Sequence, residues 1–136
     1  MSSKAIPHID RYMTRSPFTI GSEQPLVQAH HLMREHGIRH LPVLHGGKLV
    51  GMVSDHDLHI IETLRDVDPE KVLIEEAMVP DVYTVPPSAP LDEVVREMAA
   101  RKYGSAVIVD AGKVVGVFTT VDAMQAFAEL LGTRKH

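Results

Sequence analysis

The chain has no cysteine among its 136 residues. That absence removes disulfide bonds, thiolate nucleophiles and thiolate metal sites together. It also lacks any run of lysine and arginine, and a formal charge of −4 provides no basic field to attract nucleic acid. No apolar stretch approaches the roughly 18 residues of a membrane span. The opening MSSKAIPHIDRYM has no apolar core for a secretory signal. The expectation is a cytoplasmic protein with neither nucleic acid nor membrane as partner. What remains is ordinary in bulk, 44% apolar and 24% charged, and long enough for one compact domain or two very small ones.

The informative feature is internal. Sliding the chain over itself by 65 positions, without a gap, sets Met13 on Met78, Thr19 on Thr84, Pro25 on Pro90 and Leu26 on Leu91. Met33 then meets Met98, Gly47-Lys48 meets Gly112-Lys113, Val50-Gly51 meets Val115-Gly116, and Asp57 meets Asp122. A register this long marks a duplicated unit, with repeats at 9–66 and 74–131 and a linker at 67–73.

Each repeat reads as strand, helix, strand, strand, helix. The first strand is PFTI (17–20) or VYTV (82–85). A helix follows from Pro25 or Pro90, where a missing N–H costs nothing at the first helical position. Its apolar face is Leu26, Ala29, Leu32 and Met33, or Leu91, Val94, Val95 and Met98, and Gly37 reads as the stop of the first copy. Two strands joined by Gly46-Gly47 or Ala111-Gly112 come next. Pro42, which donates no backbone hydrogen bond, predicts a sheet edge at its position. The closing helices carry Leu58, Ile61 and Leu64, or Val121, Met124, Phe127 and Leu131. One such unit buries only about 60% of its unfolded surface. The expected architecture is therefore α+β, two βαββα repeats packed sheet to sheet about a pseudo-twofold axis.

Two matching stretches, GMVSDHD (51–57) and GVFTTVD (116–122), carry the candidate chemistry. Ser54-x-x-Asp57 and Thr119-x-x-Asp122 fit a helix capping box, although such boxes favour the longer Glu or Gln at the acidic position. The same residue types fit a nucleotide. A carboxylate accepts from two ribose hydroxyls, while helix N–H groups and a side-chain hydroxyl face a phosphate. Gly51 and Gly116 inside strands mark close approach by a ligand or by another backbone. Both readings stand at this level.

The repeated portion resembles a tandem pair of CBS domains, also called a Bateman module. The residues that carry the resemblance are Met13-Thr14, GIRHLPVLHGGKLVGMVSDHDL in the first copy and GSAVIVDAGKVVGVFTTVDAM in the second. It implies a regulatory or sensing module without catalysis, binding an adenine nucleotide (AMP, ADP, ATP) or a related adenosyl ligand, with no cofactor required. It implies that Asp57 and Asp122 hold ribose, that Ser54 and Thr119 sit near ribose or phosphate, and that Met52 and Val117 touch the base. It assigns Met78, Val82, Tyr83 and Tyr103 to the Asp57 site, and Met13, Phe18 and Ile38 to the Asp122 site. Arg39 and His40 match positions used against phosphate. Where relatives often place arginine before the aspartate, this chain has His56 and Val121. Copy two has Gly104 and Ser105 in place of Arg39 and His40, so the Asp57 site is expected to be the better phosphate binder.

Seven of the nine histidines fall within the first repeat's 30–59 segment and none in the second repeat. His56-x-x-His59, or His36 with His40, lacks a carboxylate to orient the rings, so no metal site is expected; His56 beside Asp57 instead suggests pH sensitivity. Ser54, His56 and Asp57 are neighbours rather than a spatially assembled triad, and copy two has no histidine there, so no enzyme is expected. The rival is a ligand-independent interaction or dimerisation module with vestigial clefts. A homodimer is expected, because the terminal helices offer apolar faces beyond what one small disc covers. With little chain outside the pair, the regulated process is expected to belong to a separate protein whose identity the sequence does not give.

Overall fold

The computed structural model describes residues 5–65 and 67–132. In chain order the elements are β1 (Thr14–Arg15), β2 (Ile20–Gly21), α1 (Leu26–His36), β3 (His40–His45), β4 (Lys48–Ser54) and α2 (Asp55–Arg65). Then come α3 (Ile74–Ala77), β5 (Thr84–Val85), α4 (Leu91–Arg101), β6 (Ser105–Asp110), β7 (Lys113–Thr119) and α5 (Thr120–Gly132). A short 3₁₀ turn, Ile9–Arg11, precedes them. The α+β class and the two βαββα repeats are as the sequence reads; β2 and β5 are shorter than the four-residue strands expected, and α3 is an addition.

The chain forms two compact units. One is Pro17–Val82; the other joins the residues through Ser16 to those from Tyr83 onward. The opening segment of each repeat therefore packs with the sheet of the other repeat. Met13 and Thr14 lie against β7, and Met78 and Val79 lie against β4. The exchange keeps the 65-residue register: Thr14 pairs with Val117, and Val79 pairs with Met52. Ile9 and Ile74, also 65 apart, are both fully buried, each in the core of its own unit.

In the Pro17–Val82 unit the strand order is β2-β3-β4, with β2 parallel to β3 and β3 antiparallel to β4. Pro42 therefore lies in the middle strand. It is tolerated because β2 pairs only from Val43 onward, so the edge predicted at Pro42 is local to the end of the β2 pairing. In the other unit the order is β1-β7-β6-β5. The hairpin turns adopt the positive φ that two-residue β-turns require, at Gly46-Gly47 and at Ala111-Gly112.

Apolar side chains at helical spacing fill each core. Leu26, Ala29 and Met33 of α1 pack with Leu41, Val43, Val53 and Leu58. Leu91, Val94 and Met98 of α4 pack with Ala106, Ile108 and Phe118. Full burial of side chains such as Leu41 or Phe118 contributes about 1.5–3 kcal/mol each. Pro25 and Pro90 stand at the N-cap, one residue before the first helical position assigned to them. Gly37 closes α1 in the left-handed conformation, its N–H bonded to the Met33 carbonyl. The α5 face made of Val121, Met124, Phe127 and Leu131 is exposed; Ala126, fully in the core, and Ala123 supply the inward side. The side chain of Leu64 lies outside the described residues.

Candidate functional site

The two seven-residue stretches each end a strand and start a helix, which puts their polar groups at a helix N-terminus. The Ser54 N–H donates to Asp57 Oδ2 at 2.9 Å, and the Asp57 N–H donates to Ser54 Oγ at 3.1 Å. In the second copy the Thr119 N–H donates to Asp122 Oδ2 at 2.9 Å, and the Asp122 N–H donates to Thr119 Oγ1 at 3.3 Å. Both halves of a capping box are thus formed twice, and aspartate closes the acidic half although it is one methylene shorter than the glutamate such boxes favour. The cap engages one carboxylate oxygen, Oδ2, in each copy.

The surroundings of the two acids differ. Thr14 Oγ1 donates to both oxygens of Asp122, each at 3.3 Å. The residue 65 positions on, Val79, has no hydroxyl to offer Asp57. Thr14 belongs to the Met-Thr pair that carries the family resemblance, and its alignment with Val79 under the 65-residue shift is the sequence signal of this difference.

Gly51 and Gly116 are explained by protein contacts. A Cβ on Gly51 would lie 2.6 Å from Met78 Sδ and 3.0 Å from the Val79 carbonyl oxygen. For a Cβ on Gly116 the nearest atoms all belong to the Met13 side chain. Met13 and Met78 therefore lie where the sequence expects close approach, each against the strand of its own unit. Met52 and Val117, the expected base contacts, are 8% and 4% exposed and pair with Val79 and Thr14.

The remaining candidates divide between the units. Phe18, Ile38, Arg39, His40, His56 and Val82 belong to the unit that carries Asp57; Tyr83 and Tyr103 belong to the unit that carries Asp122. Phe18 stacks on His36 with ring centroids 3.7 Å apart. Tyr83 stacks on Tyr103 at 5.2 Å. Burial pushes the Tyr83 hydroxyl up from 10.0, and the Glu97 and Glu93 carboxylates push it the same way.

Arg39, with its side chain 80% exposed, has Nε 3.9 Å from Asp55 Oδ2. This is a weak, solvent-screened pair that leaves the cation available. His56 is exposed at the start of α2, and its backbone N–H donates to Asp55 Oδ1 at 2.8 Å. Beside them an open cavity of about 430 Å³ is lined by His30, Met33, Arg34, Gly37, Ile38, Arg39 and Asp55. Ile38 and Arg39 are expected there from the sequence; Arg34 was missed, since an exposed arginine on a helix gives no signal of its own. Among the described residues, no three His, Asp or Glu side chains converge to hold a metal ion, and no helix is long and apolar enough to cross a membrane.

The CBS domain family matches residues 9–60 and 74–129 of the chain. Among solved structures, a protein of Vibrio cholerae assigned to acetoin utilization (AcuB) is 31% identical, with 93% of this chain and 94% of that one covered and a TM-score of 0.83. The CBS domain pair of protein MJ0100, solved in complex with 5′-methylthioadenosine and S-adenosyl-L-methionine, is 28% identical, with 91% and 98% covered and a TM-score of 0.82. Among curated relatives, inosine-5′-monophosphate dehydrogenase of Korarchaeum cryptofilum is 31% identical over 133 residues. That match covers 97% of this chain and 27% of the dehydrogenase, so the chain spans about a quarter of that relative's length.

Proposed function

The chain belongs to the CBS domain family, and on that premise we propose that it is a regulatory module that senses an adenine nucleotide or a related adenosyl ligand. One observation carries the reading: the Asp57 cap is closed through Oδ2, and Oδ1 makes no hydrogen bond among the described residues. A carboxylate has about four lone-pair sites, so Oδ1 is left for the ribose hydroxyls at a helix start whose N–H groups favour an anion. The adenosyl ligands of the MJ0100 domain pair support the ligand class.

In this reading Asp57 and Asp122 accept from ribose, Ser54 and Thr119 lie at the phosphate side, and Met52 and Val117 meet the base. Arg39 brings positive charge to the Asp57 site, and His40 and His56 offer it ring nitrogens. The family resemblance assigns Val82, Tyr83 and Tyr103 to the Asp57 site and Phe18 and Ile38 to the Asp122 site. Copy one is then the phosphate binder, because Gly104 and Ser105 give copy two no cation at the matching positions. The module signals to a separate protein in the cytoplasm and catalyses nothing itself.

The capping boxes also favour a second reading, a ligand-independent interaction module. Caps and methionine contacts account for the acids and the glycines without any guest. Nucleotide dependence separates the two. Thermal unfolding with AMP, ADP, ATP and S-adenosylmethionine is expected to show stabilisation of about 2.7 kcal/mol at 100 times the dissociation constant of the preferred ligand. Asp57→Asn keeps an oxygen for the Ser54 N–H yet loses the carboxylate, so it should remove that shift while leaving the ligand-free midpoint nearly unchanged. A chain that responds to none of the four ligands is the interaction module.

A further inference from the structure

The open cavity between α1 and α2 lies on the flank of α2 away from the Asp57 cap. Asp55, which lines it, and Asp57 are two positions apart, so about 200° separates their side chains around the helix. Glu62 stands two turns beyond Asp55 on the same flank. It is bound at 2.5 Å by His30 of α1, another of the lining residues. The groove therefore faces α1, not the side on which Asp57 returns to the Ser54 N–H.

Its charge is unbalanced. Arg34 and Arg39 both line it, and Asp55 is the one acid among the lining residues. Among the described residues the Arg34 guanidinium has neither an ion pair nor a hydrogen bond, and Arg39 reaches Asp55 only at 3.9 Å. Met33, buried, and Ile38, half-buried, add apolar surface to the same lining. The fold does not call for these charges. Under the 65-residue shift, Val95, Ala99, Gly104 and Thr120 stand where His30, Arg34, Arg39 and Asp55 stand, while Met33 is matched by Met98. The second repeat thus builds the same elements without any of the four ionisable groups.

We propose that the α1–α2 groove binds a small organic anion, its carboxylate or phosphate group held by Arg34 and Arg39 and its apolar body laid on Met33 and Ile38. Each guanidinium can meet an oxyanion with paired N–H donors. A volume of about 430 Å³ falls in the range of small-molecule pockets. A cationic occupant would meet two like charges and a single acid. Asp55 holds Arg39 through an exposed, weak pair, and is the resident competitor that the anion displaces. The site is separate from the adenosyl site and does not rest on it. Arg39 alone is common to both, so Arg34 is the residue that tests the groove.

Butyrate and inorganic phosphate are titrated separately into the isotope-labelled full chain at constant ionic strength and followed by nuclear magnetic resonance. The amide signals of Arg34, Gly37 and Arg39 should shift, and those of Ala99, Lys102 and Gly104 should stay in place. The tighter probe identifies the charged group of the ligand. Arg34→Gln should weaken that probe by about tenfold or more, the loss of a hydrogen bond to a charged group. Asp55→Asn should tighten it roughly two- to fivefold by removing the competing carboxylate, a gain that a merely structural role would not produce. Any thermal stabilisation by AMP should be the same in Arg34→Gln as in the parent chain, which separates this test from that of the adenosyl site. No shift with either probe, equal shifts in both repeats, a titration unaltered by Arg34→Gln, or one not tightened by Asp55→Asn overturns the proposal. So does an AMP response lost with Arg34→Gln, which would make the groove part of the adenosyl site.

Discussion

The hydroxyl of Thr14 donates to the carboxylate of Asp122, 108 residues away in the chain, with both oxygens at 3.3 Å. Its counterpart in the other unit, Val79, has no hydroxyl to make such a bond. The two copies share a capping box but not this tie between the opening segment and the last helix. Asp57→Ala is expected to cost about 1 kcal/mol, the worth of a cap. Asp122→Ala should cost about 1 kcal/mol more, the net value of an additional side-chain hydrogen bond to a charged group. Thr14→Val should bring the cost of Asp122→Ala down to that of Asp57→Ala. Urea unfolding of the three single variants and of Thr14→Val/Asp122→Ala checks this. Equal costs for the two aspartates would show that the Thr14 bond contributes nothing.

Gly51 and Gly116 face different obstacles although they are equivalent in sequence. The nearest atoms to a Cβ on Gly116 all belong to the Met13 side chain, whereas Gly51 also faces the Val79 carbonyl oxygen at 3.0 Å. A methionine side chain moves; a backbone carbonyl held in a β-bridge to Met52 does not. Both alanine variants should be destabilised by about 1–3 kcal/mol through overpacking. Met13→Ala should relieve most of the strain of Gly116→Ala, while Met78→Ala should relieve only part of that of Gly51→Ala. Double-mutant cycles measured by chemical unfolding give the two coupling energies.

Much of this fold is legible in the sequence because duplication states it twice. The hairpins, the helix stops and the pairing of hydroxyl with aspartate all follow from residue types at a fixed shift. The exchange of opening segments does not. Ile9 and Ile74 are interchangeable as apolar residues, and similarity between copies cannot say which copy each one packs on. Helix α5 was ambiguous for a related reason: an apolar period identifies a face but not whether it turns inward, and the small Ala123 and Ala126 took the core side. At the candidate site, residue types pointed to a cap and to a ribose equally. The geometry forms the cap and engages one oxygen of each acid in it, so only ligand measurements separate those readings further.

Gly37 and Lys102 occupy the same left-handed position at the ends of α1 and α4, with φ of 63° and 60°. A side chain there costs roughly 1–2 kcal/mol, which glycine avoids, although glycine also orders at some entropic cost. Gly37→Ala should therefore destabilise by about 1 kcal/mol, and Lys102→Gly should stabilise by somewhat less. Shifts of opposite sign in the thermal midpoint are the expected outcome; two shifts of the same sign would mean that contacts of the Lys102 stem outweigh the backbone.

Tyr12 ties the opening segment to α5 through Glu129, and that bond gives the unit containing β7 an alkaline limit. The hydrogen bond to Glu129 raises the Tyr12 pKa above 10.0; partial burial and the Glu129 charge add to it, and Arg11 opposes it. The neutral phenol is thus favoured in the folded state more than in the unfolded chain. A folded-state pKa raised in this way gives a contribution that is fully present below the unfolded value of 10.0 and is lost as pH rises through the folded value. The urea midpoint should therefore fall as pH climbs above 10.0. Tyr12→Phe should flatten that limb, and Glu129→Gln should shrink it, because a folded-state pKa brought back toward 10.0 leaves less stability to lose. Since Tyr83 is raised as well, chiefly by burial, a residual slope should persist in Tyr12→Phe and disappear in Tyr12→Phe/Tyr83→Phe. An unchanged limb in the double variant would assign the alkaline loss to groups other than these two phenols.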